Sequence, residues 1–175
     1  MRILIAIILL YSSLAANAAE PPNVAFAGFN LINTSLEPTN DAEKARLTMI
    51  ETELRALLDK TGRYHLVSLP LDAAADAKTH PDVSGCGGCQ LKWGREAGAE
   101  LVMWGTVQKV SNLILNINLY IDEVQTGRKV LGTSVDIRGN TDETWRHGIR
   151  YLVENNLQHD WKDTSDQSAV GSPPR

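Results

Sequence analysis

The spacing of apolar positions changes several times along the chain, and each change marks an element. From Asn23 to Leu31 the run NVAFAGFNL is apolar on both alternating faces, which predicts a strand covered on both sides. Strict alternation puts Val24 and Phe26 on one face and Ala25, Ala27, Phe29 and Leu31 on the other. Asn40 and Glu43, three positions apart, form a capping-box signature and predict a helix over 41–61. Its buried stripe is Leu47, Ile50, Leu54, Leu57 and Leu58, and Gly62 supplies its stop.

Tyr64 to Leu69 reads as a short second strand that Pro70 ends, and LDAAADAKTH adds a turn or two of helix. Residues 79–85 have no period and read as a loop. The chain then enters CGGC at Cys86, a short helix that Gly98 can close, and a strand whose Leu101 to Trp104 run belongs in the interior. After a turn at Ser111 and Asn112, LILNINLYIDEV alternates cleanly. Leu113, Leu115, Ile117, Leu119 and Ile121 define a dry face, and Asn116, Asn118, Tyr120 and Asp122 a wetter one. Residues 125–128 make a second turn, and 129–138 make the last strand. Asn140 and Glu143 repeat the capping box before a final helix, to about Asn156, with Trp145, Ile149, Leu152 and Val153 as its stripe.

This order, β-α-β-α-β-β-β-α, predicts an α+β single domain with a mixed five-stranded sheet. The early strands run parallel through helices, the late ones pair as antiparallel hairpins, and the helices are expected on one face. Residues 1–18 read as a signal peptide, 19–157 as the domain and 158–175 as a flexible polar tail. The leader reading rests on Arg2, the apolar run from Ile3 to Leu14 and the small-x-small sequence Ala16-Asn17-Ala18, with cleavage near Ala18/Ala19. That apolar run is short for a membrane span, which needs about 20 residues. The expected location is the periplasm, with no membrane anchor after cleavage.

Charge narrows the partners. Arg2 is the only charged residue ahead of Glu20, so the chain without its leader keeps 16 of 17 basic groups against 21 acidic ones. A mildly acidic chain with no basic cluster argues against nucleic acid or an anionic membrane surface as partner. Three of the tryptophans, Trp93, Trp104 and Trp145, fall where core packing is the ordinary reading.

Candidate chemistry concentrates at Cys86 and Cys89, the two cysteines of the chain. In an oxidising compartment they are expected to pair with each other and pin a loop. A thiol-disulfide oxidoreductase is the alternative, with Cys86 attacking and Cys89 resolving, because a helix start lowers a thiol pKa. A metal-binding module is a further alternative and would need two more ligands, for which His65, His80 and Asp82 are the nearby donors. No Gly-x-Ser-x-Gly elbow, HExxH, phosphate loop or dinucleotide fingerprint occurs, so no catalytic residue, metal or cofactor is assigned. Where the last strand hands over to the last helix, Arg138, Asn140, Thr141 and Asp142, with Trp145, are expected at one end of the sheet as a partner surface.

Three blocks, NVAFAGFNLINTSLEP, CGGCQLKWGREAGAELVMWGTVQKVSNLILNINLYI and TGRKVLGTSVDIRGNTDETWRHGIRYLVEN, resemble a family of small exported bacterial proteins of unknown function. Its members are often encoded beside quinoprotein alcohol dehydrogenases, periplasmic enzymes that use pyrroloquinoline quinone and pass electrons to a cytochrome c. Cys86 and Cys89 match the family's paired cysteines, and Arg138, Gly139, Asn140, Thr141, Asp142 and Trp145 match its late block. The element order is also similar to the amino-terminal domain of TolB and to the curli-secretion lipoprotein fold. The resemblance implies a setting, and together with the absence of any catalytic constellation it leads us to expect a non-enzymatic periplasmic accessory protein whose partner is a periplasmic protein, a quinoprotein dehydrogenase or its cytochrome c among them.

Overall fold

The computed structural model describes residues 20–158. The leader and the polar tail beyond Gln158 lie outside the described residues. Five strands form one sheet in the order β2-β1-β3-β4-β5, with β1 Asn23–Asn33, β2 His65–Val67, β3 Leu101–Lys109, β4 Ile114–Glu123 and β5 Lys129–Arg138. β1 pairs parallel with β2 and β3, and β3-β4-β5 is an antiparallel meander. Among the described residues four α-helices complete the fold: α1 Asp41–Thr61, α2 Leu71–Thr79, α3 Cys89–Glu96 and α4 Asp142–Asn156. The mixed α+β sheet agrees with the sequence reading, and α1 and β5 have the predicted bounds.

The helices cover both faces of the sheet, not one. From β1 the chain steps outward to β2, then reverses across β1 to reach β3. Crossovers between parallel strands are right-handed, so reversing direction moves the connecting helices to the opposite face. α1 and α4 accordingly pack over Val24, Phe26, Met103, Val107, Leu115, Ile117, Leu119 and Ile121. The other side carries α2 and α3, whose Ala73, Ala77 and Trp93 meet Trp104. Beyond these helices the second face is open over Gln108, Asn116, Asn118, Ser134 and Asp136, where Asn116 donates to Asp136 at 2.8 Å and Asn118 to Thr106 at 3.2 Å.

β1 departs from strict alternation. Phe26 pairs with Met103 but Phe29 pairs with Gly105, so one extra residue is inserted between them. Gly28 adopts φ 90° at this bulge. The insertion flips the parity of everything after it, so Phe29 and Leu31 join Val24 and Phe26 on the α1 face. Phe29 then packs edge-on against Phe26, with ring centroids 5.8 Å apart. The Phe29 N–H donates to Glu51 Oε1 of α1 at 2.8 Å. A Cβ at position 28 would stand 2.8 Å from that same carboxylate oxygen. Gly28→Ala therefore combines a left-handed backbone with displacement of the Glu51 carboxylate, and we expect it to cost about 2 kcal/mol in urea unfolding. A cost below about 0.5 kcal/mol would mean that the bulge relaxes without strain.

β4 begins at Ile114, and Leu113, assigned to its dry face by alternation, is exposed in the preceding turn. The second strand is only three residues long rather than six. The 79–85 loop contains one 3-10 turn, Val83–Gly85, capped by Asp82.

Candidate functional site

The carboxyl ends of β1 and β3, the β3-β4 turn, the end of β5 and the starts of α1 and α4 all lie at one end of the sheet, because α1 and α4 each reverse direction after the strand before them. Under the loops at this end sits a buried ion pair. Lys109, the last residue of β3, and Glu43, in the first turn of α1, are both fully buried, with Nζ 2.6 Å from Oε1.

The pair is held by several further bonds. Asn140 Nδ2 donates to Glu43 Oε1 at 2.7 Å, and the Asn40 N–H donates to Glu43 Oε2 at 3.0 Å as half of the α1 capping box. Asn140 Oδ1 accepts from Trp145 Nε1 at 3.0 Å and Arg46 Nη1 at 3.1 Å, and Arg46 Nε reaches Asp142 at 2.8 Å. Asn140 also donates to Asn112 Oδ1, Asn112 to the Glu37 carboxylate, and Thr34 N–H to the Lys109 carbonyl. One buried charge pair thus ties down the 34–40, 110–113 and 139–141 loops together.

Burial pushes the Glu43 carboxyl up, but the hydrogen bond from Lys109, those from Asn40 and Asn140, and the Lys109 charge outweigh it and hold it below the usual carboxylate range. Glu53 of α1 is lowered too, chiefly by the Arg150 hydrogen bond at 2.7 Å against an opposing effect of burial, with Arg146 adding charge at 3.2 Å. A depressed carboxyl stabilises the fold above its unfolded pKa and loses that contribution as the pH falls through its folded value. We expect the urea midpoint to hold near neutrality and to drop steadily below about pH 4.3, the ordinary glutamate value. A midpoint that stayed level from pH 6 to 3 would contradict these assignments.

The late-block residues divide by role. Asn140 belongs to the network. The helix starts one position later than the spacing suggested: Thr141 is the N-cap of α4 and pairs with Thr144, so Asn140 is released for Glu43 and Trp145. Trp145 is fully buried and offers no contact surface. Asp142 is exposed beside Arg46, and Arg138 is exposed at the end of β5. Sequence reading found Glu43 as the capping-box residue it is but missed its buried pairing with Lys109, although both positions carry a signal. Lys109 continues the alternation Leu101, Met103, Gly105, Val107, and Glu43 stands four residues before Leu47 in the apolar stripe of α1. A charge in phase with a buried stripe calls for a buried partner.

At this end of the sheet, apolar side chains face water. Leu36 is fully exposed, Leu113 is 63% exposed, Val110 51% and Ile114 47%. Val110 and Ile114 are joined by a backbone hydrogen bond across the β3-β4 turn, and the Glu37-Asn112 contact brings the Leu36 loop against that turn.

The cysteines lie away from this end, on the second face. Cys86 and Cys89 form a disulfide at the start of α3, half-buried against the Trp93 and Trp104 cluster. Beside them Asp122 is buried, and its Oδ2 accepts from Gln90 at 3.1 Å and Trp104 Nε1 at 3.3 Å. Its Oδ1 has no directed hydrogen bond and is compensated by the Lys129 ammonium at 3.4 Å, which also lies over the Tyr120 ring. The closed loop is so short that replacing both cysteines by serine should cost only about 2 kcal/mol and leave the far-UV circular dichroism unchanged. Loss of the folded spectrum would show that the bond supports more than its own turn. Among the described residues no group of three or more His, Cys, Asp or Glu is placed to hold a metal, and His65 is exposed on β2 while His80 meets Asp76 and Trp93. No helix among them is long and apolar enough to cross a membrane.

Residues 22–157 match the model of the DUF3280 family, described as a protein of unknown function (DUF2380). The chain belongs to that family. The DUF3280 match spans every element from β1 to α4, and its description names no partner. No curated protein matches the chain. Among solved structures, PelC from Paraburkholderia phytofirmans, a dodecamer, is 17% identical at a TM-score of 0.48, covering 77% of this chain and 86% of that one. The LpoB C-terminal domain from Salmonella enterica is 16% identical at 0.45, covering 71% and 87%. TolB from Acinetobacter baumannii is 16% identical at 0.45, covering 89% of this chain and 30% of that one.

Proposed function

We propose that this protein is a non-enzymatic accessory module that works in the periplasm by holding another protein at the loop end of its sheet. The observation that carries this reading is the placing of Leu36, Val110, Leu113 and Ile114 in water at an end of the sheet whose loops are tied down by Lys109, Glu43 and Asn140. Scattered exposed hydrophobes are ordinary; a group of them on one rigid end, rimmed by polar side chains, has the make-up of a protein-binding patch. Glu37, Asn112, Arg138 and Asp142 supply that rim. Ordering costs weaken binding, and loops already fixed by the buried pair avoid them.

The partner, on the resemblance of the three sequence blocks, is a component of quinoprotein alcohol oxidation, either the dehydrogenase or its cytochrome c. In that setting the module would support assembly or the arrangement for electron transfer. The test is affinity capture by the tagged protein from cells growing on an alcohol, run beside Leu113→Asp. We expect a quinoprotein dehydrogenase or its cytochrome to be recovered with the wild type and reduced about tenfold or more with the variant. Recovery of neither protein, or equal recovery by the variant, would count against the reading.

A further inference from the structure

We propose that β5 pairs antiparallel with β5 of a second copy, about a two-fold axis at Ser134, to give a dimer with one continuous ten-stranded sheet. The two edges of the sheet differ. β2 has three residues, too few to template another strand, whereas β5 has ten, contains no proline and ends the sheet. The bulge of β5 at Val130 and its charges at Lys129, Asp136 and Arg138 lie toward its two ends, which leaves the uncharged run 131–135 as an open site for strand addition.

Backbone geometry sets which residues of β5 face outward. The Gly139 N–H donates to the Leu113 carbonyl at 2.9 Å, in phase with the Ile114-Arg138 pairing. Antiparallel ladders alternate, so residues 131, 133, 135 and 137 turn their backbone groups toward β4, and Gly132, Ser134, Asp136 and Arg138 turn theirs outward. Pairing about Ser134 sets these outward positions against one another: Ser134 faces its own copy and Gly132 faces Asp136. It spans residues 131–137, stopping short of the bulge at Val130, and puts no like charges opposite, because Asp136 meets Gly132. Centring on residue 136 or 138 instead sets Asp136 or Arg138 against itself, which is unfavourable.

Side chains agree with that register. Leu131, Thr133, Val135 and Ile137 share the α4 face, so Leu131 would meet Ile137 and Thr133 would meet Val135 across the axis. Beside the edge, a groove of about 430 Å³ between β5 and α4 is lined by Val135, Ile137, Gly148 and the half-exposed Tyr151. Gly148 creates this close approach, since a Cβ there would stand 2.9 Å from Ile117 and Ile137. The second copy extends this apolar strip across the axis.

The test is sedimentation velocity of the full mature chain over a concentration series, with Ser134→Pro and Ser134→Cys. Ser134 directs its N–H away from β4, so proline removes the central intermolecular bond and spares the internal ladder. We expect a wild-type dimer, a Ser134→Pro dimer weakened about 100-fold whose thermal midpoint equals that of the wild type when both are diluted to monomer, and a covalent dimer from Ser134→Cys on mild oxidation. Facing Cα atoms in such a pair are about 5.5 Å apart, within disulfide reach. Thr133→Cys, which would face Val135, should not cross-link. A monomer at all concentrations, a dimer insensitive to Ser134→Pro, or equal cross-linking from positions 133 and 134 would overturn the proposal.

Discussion

Lys109→Met is expected to destabilise the protein by about 3–5 kcal/mol, the cost of leaving a buried charge without its partner. Methionine keeps most of the apolar stem, so the loss isolates the ammonium. It leaves Glu43 fully buried, with Asn140 and the Asn40 N–H as its remaining donors. Glu43→Gln should cost less, about 1–3 kcal/mol, because the amide oxygen still accepts from Asn40 and Glu37 remains 3.7 Å from Lys109. The double variant should be less damaging than the sum of the two, since neither uncompensated charge remains, and the coupling measures the pair. Urea unfolding at constant slope checks all three. Lys109→Met should also flatten the acid loss of stability, because Glu43 would no longer be held down by the ammonium. A cost under about 1 kcal/mol would mean that water reaches the pair.

Trp145→Ala is expected to cost about 3–5 kcal/mol, in the range for deleting a buried tryptophan. Its ring is fully buried under α4, and its Nε1 donates to Asn140. Trp145→Phe keeps most of the volume and removes that donor, so a loss of about 1–2 kcal/mol is expected. Because Asn140 then rests on Arg46 alone through its oxygen, amide exchange in the 110–113 and 139–141 loops should rise in the phenylalanine variant before global stability falls far. Loop exchange unchanged by Trp145→Phe would show that the ring fills space without positioning Asn140.

Periodicity made the long amphipathic elements legible. The stripe of α1 returned with Ile50, Leu54 and Leu58 fully buried, and all four apolar residues assigned to α4 are buried. Trp93, Trp104 and Trp145 are core residues, as their surroundings in sequence suggested. Period counting failed where one residue breaks the count. Gly28 inserts a bulge that reverses the faces of Phe29 and Leu31, and nothing in local hydrophobicity distinguishes it from a regular glycine in a strand. The α4 cap failed for a similar reason: Asn140 and Thr141 are both good caps, and the choice was made by Glu43, which lies 97 positions away and takes the Asn140 amide. Long-range polar partners of this kind leave only an indirect trace, a charged residue in phase with an apolar stripe.

The loop end was legible as a place, since a strand-to-helix junction was expected there, but its contents were not. Of the residues first assigned to a surface, Asn140 and Trp145 lie beneath it, while Leu36, Val110, Leu113 and Ile114 form its exposed part. Alternation assigned Leu113 to the core. The turn that starts at Ser111 instead places it in water.

The most direct measurement is site-specific photo-crosslinking in living cells, with a photoreactive phenylalanine derivative at Leu36 or Leu113 and, as control, at Lys60, which is exposed at the opposite end of α1. A discrete adduct of common mass from positions 36 and 113, absent from position 60, is the predicted result. No adduct from either loop position, or the same adduct from all three, would contradict the claim that this end of the sheet is where the protein meets its partner.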